Sequence, residues 1–196
     1  MPRVSPLSRE DLSEFEEMFS MIEEAAGFIP NSMLTMGRVP GILRAFSGLT
    51  AAVLGNGSVS RELKQLVAYV SSRSAGCRYC QAHTAFAAKE IGIAEEKIRA
   101  AFEFETSGLF DERERAALRV AADAGLAPSA TTDEQFVELH KHFDDNEIVE
   151  LVAVISMFGW LNRWNDTMAT ELESSPLQFA ERQLAKGGWE VGRHRG

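Results

Sequence analysis

The stretch Ser60–Gly92, SRELKQLVAYVSSRSAGCRYCQAHTAFAAKEIG, decides the reading of the whole chain. Leu63, Leu66, Val67 and Val70 recur at helical spacing behind Ser60, a residue suited to an N-cap. That helix is expected to end around Arg73 to Gly76. A second should begin at or just before Cys77 and stop at Gly92, a natural residue just past a helix end. Two helices joined by so short a link pack as antiparallel neighbours.

The same punctuation continues outward. Upstream, Ser8 and Asp11 resemble a capping pair ahead of Leu12, Phe15, Phe19 and Ile22, a run closed by Gly27. Asn31 follows Pro30 into a short helical piece, and Pro40 is placed as the first-turn proline of a helix to Leu54. Downstream, Ala94–Glu105 continues as helix, Asp111 opens a helical run closed by Gly125, and Thr132 with Gln135 forms a capping-box signature. The longest segment, about Asn146 to Leu172, is apolar around most of its circumference, as a central or interface helix is. A last helix is expected from Pro176 to Lys186, followed by a loose tail carrying Trp189. No stretch reads as a strand. The expected fold is all-α, a single-domain antiparallel helical bundle, with an extension over 1–39, the main domain over 40–173 and a C-terminal helix and tail over 174–196.

With 29 acidic against 20 basic residues the chain carries a formal net charge of −9, which repels phosphate backbones and argues against nucleic acid as a partner. No apolar run suits a membrane span and the first residues lack the apolar centre of a secretory signal, so the expected location is cytoplasmic. In a reducing compartment a lone Cys-x-x-Cys pair is not a structural staple.

Cys77 and Cys80, the only cysteines, lie on one helix face, and His83 extends that face by about one turn. A thiol near a helix N-terminus feels unpaired amide donors and the positive end of the macrodipole, both of which favour thiolate. One thiolate can attack a peroxide or disulfide while the second thiol condenses with the resulting sulfenic acid. A neighbouring His can move the protons. Three other readings of these residues stand beside this one. The cysteines are small buried residues, or Cys77, Cys80, His83 and Glu62 hold zinc, or the pair belongs to a thioredoxin-like motif. The last would need a βαβ pattern, which is absent here.

Ser72, Gly76, Cys77, Tyr79 and Cys80, preceded by a helix, resemble the core of the carboxymuconolactone decarboxylase superfamily, and more narrowly its alkylhydroperoxidase-D-like, peroxidase-related branch. Residues 143–173, with Asn162 and Arg163, resemble that family's closing helix. The resemblance spans about residues 40–173, and the ends look like the additions of longer, peroxidase-related members. It implies an all-helical fold assembled as a homo-oligomer (dimer, trimer or hexamer), with no prosthetic group and no metal. It further implies a catalytic pair in which Cys80 attacks a hydroperoxide or other small-molecule substrate and Cys77 resolves. A dithiol reductant of thioredoxin or lipoyl type would then restore the thiols. Where the family's relay begins with a glutamate, twelve positions before the first cysteine, this chain has Gln65; where the relay histidine stands, it has Thr84, with His83 one place earlier. Glu62 and His83 are therefore the candidate proton-handling residues beside Cys80 and Cys77. The rival functions are a non-thiol lyase or isomerase of the same superfamily, and a non-catalytic oligomeric redox-sensing or binding protein.

Elsewhere, His140 and His142 read as surface residues and His194 as an idle tail residue. Trp160 and Trp164 read as packing. Arg163 and Asp166 have the spacing of an ion pair that orders the closing helix.

Overall fold

The computed structural model describes all residues, 1–196, and contains helices and turns without a strand. In chain order the α-helices are α1 (Glu16–Ala26), α2 (Asn31–Met36), α3 (Pro40–Leu54), α4 (Arg61–Ser74), α5 (Arg78–Glu90), α6 (Glu95–Arg99), α7 (Glu112–Ala124), α8 (Asp133–Leu139), α9 (Asp145–Met168) and α10 (Ser174–Gln183). A 3-10 turn, Glu10–Phe15, leads into α1.

The caps at Ser60, Cys77, Asp111 and Thr132 sit where the sequence places them, and the cap of α9 is Asp144, just ahead of the expected start. Ser60 accepts from the Leu63 amide at the start of α4, and Cys77 is the N-cap of α5, its sulfur accepting from the Cys80 amide. Asp111, Thr132 and Asp144 each form a reciprocal capping box, at α7, α8 and α9. Gly27 closes α1 at φ +81°, a left-handed conformation that a side chain would resist. Asp144→Ala removes the acceptor for the Glu147 amide, 2.9 Å away. It is expected to cost about 1 kcal/mol, read as a lower urea midpoint with an unchanged slope.

The hairpin α4–α5 is the centre. From Leu63 to Ser72 the side chains of α4 are buried except for Gln65, because α5, α7 and α9 all pack on it. Burial on all sides explains the near-continuous apolar run in this part of the sequence. Leu12, Phe15 and Phe19 meet Met33, Met36 and Leu43 in a smaller cluster, joined to the main core through Phe46 and Leu161. The first forty residues are thus packed onto the bundle through a core of their own. No helix is long and apolar enough to cross a membrane.

Three expectations for the C-terminal part are corrected. The closing helix stops at Met168, where Ala169 takes φ +49° and turns the chain back. The final helix runs Ser174–Gln183, earlier at both ends than its apolar pattern suggested. The tail is not loose. Trp189 is buried and donates to the Arg78 carbonyl at 3.1 Å, Val191 is buried, and His194 is almost fully enclosed. Trp189 and Val191 join the main hydrophobic core and the last turn packs against α5, so the hydrophobic effect holds a segment whose own pattern is too short to read.

Candidate active site

Both cysteines are free and buried, Cys77 with no exposed surface and Cys80 with 2%. Their roles in the fold differ. Cys80, in the first turn of α5, opens onto a cavity of about 540 Å3, whereas Cys77 lies behind it, outside the cavity wall. Met18, Met21 and Ile22 of α1, Met33 of α2, Phe46 of α3, and Phe158 and Leu161 of α9 line the cavity. The few polar groups facing it include Gln65, Tyr79, His83, Thr84 and Asn165. Three methionines, Met18, Met21 and Met33, thus form part of this wall. A flexible, polarizable lining suits apolar ligands of irregular shape.

The Asn165 side-chain amide donates to Cys80 Sγ at 3.4 Å, and the Cys80 amide donates to Cys77 Sγ at 3.3 Å. The hydrogen bond with Cys80, followed by burial, pushes the Cys77 thiol well above its ordinary pKa. Proximity to a helix N-terminus alone would have favoured a thiolate at Cys77; the shared hydrogen bond and loss of solvent outweigh it.

His83 lines the same cavity as Cys80, on the next turn of α5. Its ring is stacked on Tyr79 at 4.3 Å and meets Phe28 edge-on at 5.4 Å. Nε2 lies 2.5 Å from Glu173 Oε2. Glu173 is the residue that sequence reasoning missed. It stands just before α10, ninety residues from His83, delivered by the turn at Ala169. Its Oε1 accepts from the Tyr79 hydroxyl at 2.9 Å and from the Asn31 amide at 2.5 Å. Burial pushes the Glu173 carboxyl up, but the attraction and hydrogen bond of His83, with the Asn31 amide, prevail and hold it below the usual carboxylate value. Burial first, and then the neighbouring Glu173 charge, drive the Tyr79 phenol well above its usual value, so it remains a neutral donor. A carboxylate accepts only, so the proton between His83 and Glu173 sits on Nε2.

Glu62 does not join this group. It is exposed on the outer side of α4, away from the cavity. Three residues further on, Gln65 does face the cavity and donates its amide to the Thr84 carbonyl at 2.9 Å. Thr84 in turn donates its hydroxyl to the Cys80 carbonyl at 2.7 Å. The two positions at which this chain departs from the relay pattern thus meet each other and tie α4 to α5. The ligand set considered for zinc does not converge either, since Glu62 lies elsewhere and His83 faces Glu173. The side chains that do converge are those of Cys77, Asp166 and His194, whose sulfur, oxygen and nitrogen atoms lie within 4.8 Å of one another. Asp166 pairs with His194 at 3.1 Å, while Arg163 donates back to the Gly159 carbonyl, so the expected Arg163–Asp166 pair is replaced. His140 is exposed and His142 half-buried at the surface, and Trp160 and Trp164 stack at 5.2 Å.

Residues 40–123 match the family model described as the carboxymuconolactone decarboxylase family. The crystal structure of the debrominase Bmp8, in a Cys-to-Ala variant complexed with 2,3,4-tribromopyrrole, superposes with a TM-score of 0.87 at 36% identity, over 91% of this chain and 96% of that one. The match over residues 40–123 places that part of the chain in the carboxymuconolactone decarboxylase superfamily. The same fold is seen in the alkylhydroperoxidase AhpD core of a peroxidase-related protein from Ralstonia eutropha JMP134, with a TM-score of 0.80 at 20% identity over 91% of this chain and 95% of that one. The protein YdfG of Bacillus subtilis (strain 168) is 29% identical over 110 residues, which are 55% of this chain and 72% of that relative. Members of the superfamily are often enzymes on small molecules, debrominase and alkylhydroperoxidase among them.

Proposed function

We propose that the protein is a dithiol reductase of a small apolar molecule, with Cys80 as the attacking thiolate and Cys77 as the resolving thiol. One observation carries the reading: Cys80 forms part of the wall of an apolar cavity while Cys77 waits behind it in hydrogen-bond contact. A buried, inert pair would have no reason to divide its two sulfurs in this way.

With a hydroperoxide, the Cys80 thiolate attacks the terminal peroxide oxygen and the O–O bond breaks. The departing alkoxide takes a proton from His83, and Glu173 holds the ring and balances its charge. Cys77 then attacks the Cys80 sulfenic acid; the S–S bond forms and water leaves. The sum is one hydroperoxide and two thiols giving an alcohol, water and a disulfide, which an external dithiol of thioredoxin or lipoyl type reduces. The relay in this reading is His83–Glu173 rather than one starting from Gln65 or Glu62.

A second reading, reductive dehalogenation, is favoured by the likeness to a debrominase along nearly the full chain and by the apolar cavity. Here the Cys80 thiolate attacks the halogen of a halogenated aromatic ring and the ring carbon takes a proton from His83. Cys77 then displaces halide from Cys80, so that one aryl bromide and two thiols give the arene, bromide, a proton and a disulfide. Assembly as a homo-oligomer in a reducing, cytoplasmic setting belongs to the same proposal. Val149, Val152 and Trp160 on α9, with Ile42 and Leu49 on α3, offer an exposed apolar face for a second copy.

The test supplies excess dithiothreitol with either cumene hydroperoxide or a brominated pyrrole, and follows alcohol or bromide formation. Turnover of one substrate well above the protein-free rate is expected. Background rates for both, with the two thiols of the pre-reduced protein left unoxidised by either substrate in the absence of dithiothreitol, would sink the reading.

A further inference from the structure

The geometry points to Asp166, held by the buried His194, as the proton acceptor for Cys77 when that thiol closes the disulfide onto Cys80. The inference rests on the dithiol reading above and concerns its second step, for which His83 and Glu173 are on the wrong side of Cys80.

Asn165 and Asp166 are adjacent on α9 and address the two sulfurs separately. Asn165 donates to Cys80 Sγ, while an Asp166 oxygen, a His194 ring nitrogen and Cys77 Sγ lie within 4.8 Å of one another. That separation lets a proton pass directly after a small rotation of the thiol or through one water. His194 is only 1% exposed, with Nδ1 2.8 Å from the Thr170 carbonyl and Nε2 3.1 Å from Asp166 Oδ1. With one ring nitrogen against the Thr170 carbonyl and the other against Oδ1, the buried ring holds the Asp166 carboxyl in place from behind. Building this pair beside a buried thiol is costly unless it is used or tightly satisfied.

Cys77 has no exposed surface, whereas the Asp166 side chain is 36% exposed and lines a separate open groove of about 950 Å3. Asp166 is thus the link between the resolving thiol and solvent. The groups facing this point are Cys80 from α5, Asp166 from α9 and His194 from the tail, with the neutral Tyr79 ring 5.8 Å from that of His194. The Asp166 charge also helps keep Cys77 protonated until it attacks. In the step, Cys77 Sγ bonds to Cys80 Sγ, and the bond from Cys80 Sγ to its leaving group breaks with the electron pair departing on that group. The Cys77 proton moves to Asp166 and out through the groove. The two electrons were already taken at Cys80, so no further oxidant is needed. Asp166 is the proton acceptor and His194 a positioning residue.

The experiment uses the full-length reduced protein and the neutral aromatic disulfide dithiodipyridine, independent of any physiological substrate. Attack by Cys80 releases one thiopyridone, and closure by Cys77 releases a second; both absorb light. Cys77→Ser is expected to give the first release only. Asp166→Asn, which keeps the hydrogen bond from His194, is expected to leave the first release within about twofold and slow the second about a hundredfold at neutral pH. The deficit should shrink as rising pH lets hydroxide ionise Cys77, and Asp166→Glu should restore part of the rate. Should Asp166→Asn fail to fold, wild type in heavy water decides: the second release alone must slow. An unchanged or faster second release in Asp166→Asn, equal slowing at every pH, or no isotope effect on closure would overturn the assignment. Absent turnover of hydroperoxide and bromopyrrole, with both releases still seen, would instead count against the substrate reading alone.

Discussion

Cys80→Ser is expected to lower turnover of the physiological substrate by roughly a thousandfold or more, to the background rate. A serine hydroxyl is not ionised near neutral pH and cannot replace a thiolate at an apolar cavity wall. The fold should survive, because the substitution is nearly isosteric and the Asn165 amide that now donates to Cys80 Sγ at 3.4 Å can donate to an oxygen. Cys77→Ser should behave differently. It keeps the attacking sulfur but removes the partner behind it, so a single turnover should proceed and then stop. With hydroperoxide the product should be Cys80 sulfenic acid, passing to the irreversible sulfinic acid under excess oxidant. Substrate loss per protein molecule, together with the mass of the cysteine-containing peptide, separates the two variants. Catalytic turnover by both would remove the cysteines from the mechanism and leave a non-thiol reaction as the better account.

The second large effect belongs to Glu173, through both activity and stability. Glu173→Gln leaves the His83 ring facing an amide instead of a carboxylate and is expected to lower turnover about a hundredfold, as loss of a general-acid assembly does. The carboxylate satisfies His83, Tyr79 and the Asn31 amide at once, with only 10% of its side chain exposed. Removing its charge from a pair so enclosed is expected to cost about 3 kcal/mol at neutral pH. The pH dependence follows from the direction of the shift. The folded carboxyl titrates below the unfolded value of about 4.3, so its contribution is complete above that value and is lost as pH falls through the lower folded pKa. Wild type should therefore lose stability relative to Glu173→Gln as pH falls below about 4.3, and the two unfolding midpoints should converge in acid. A gap that stays constant down to the lowest accessible pH would show that the charge is not what stabilises this corner.

Sequence and structure agree where the deciding interactions are local. Ser60, Asp111, Thr132 and Asp144 cap helices through bonds to amides three residues away, and Pro40 begins α3 where its missing amide costs nothing. Cys77 and Cys80 lie three residues apart, so helical geometry alone brings them together. Boundaries drifted where local signals were weak. Leu172 continues the apolar pattern of α9 yet lies beyond the left-handed Ala169, whose conformation has no signature in an alanine. Glu62 was a reasonable candidate by sequence spacing, but which side of α4 faces the cavity is set by α5, α7 and α9 together.

What the sequence by itself determined is the class, the hairpin at the centre and the dithiol at the head of α5. Each follows from contacts within about one helical turn, where spacing and side-chain type are sufficient. What only the tertiary structure decided is the environment of those sulfurs. Glu173 reaches His83 across ninety residues, Asn165 reaches Cys80 across eighty-five, and the tail brings His194 back onto Asp166. The first helix closes one side of the cavity in the same way. Such meetings depend on how whole helices pack and where the chain turns between them. No single residue type or spacing encodes them, so the thiols were legible in the sequence and their proton partners were not.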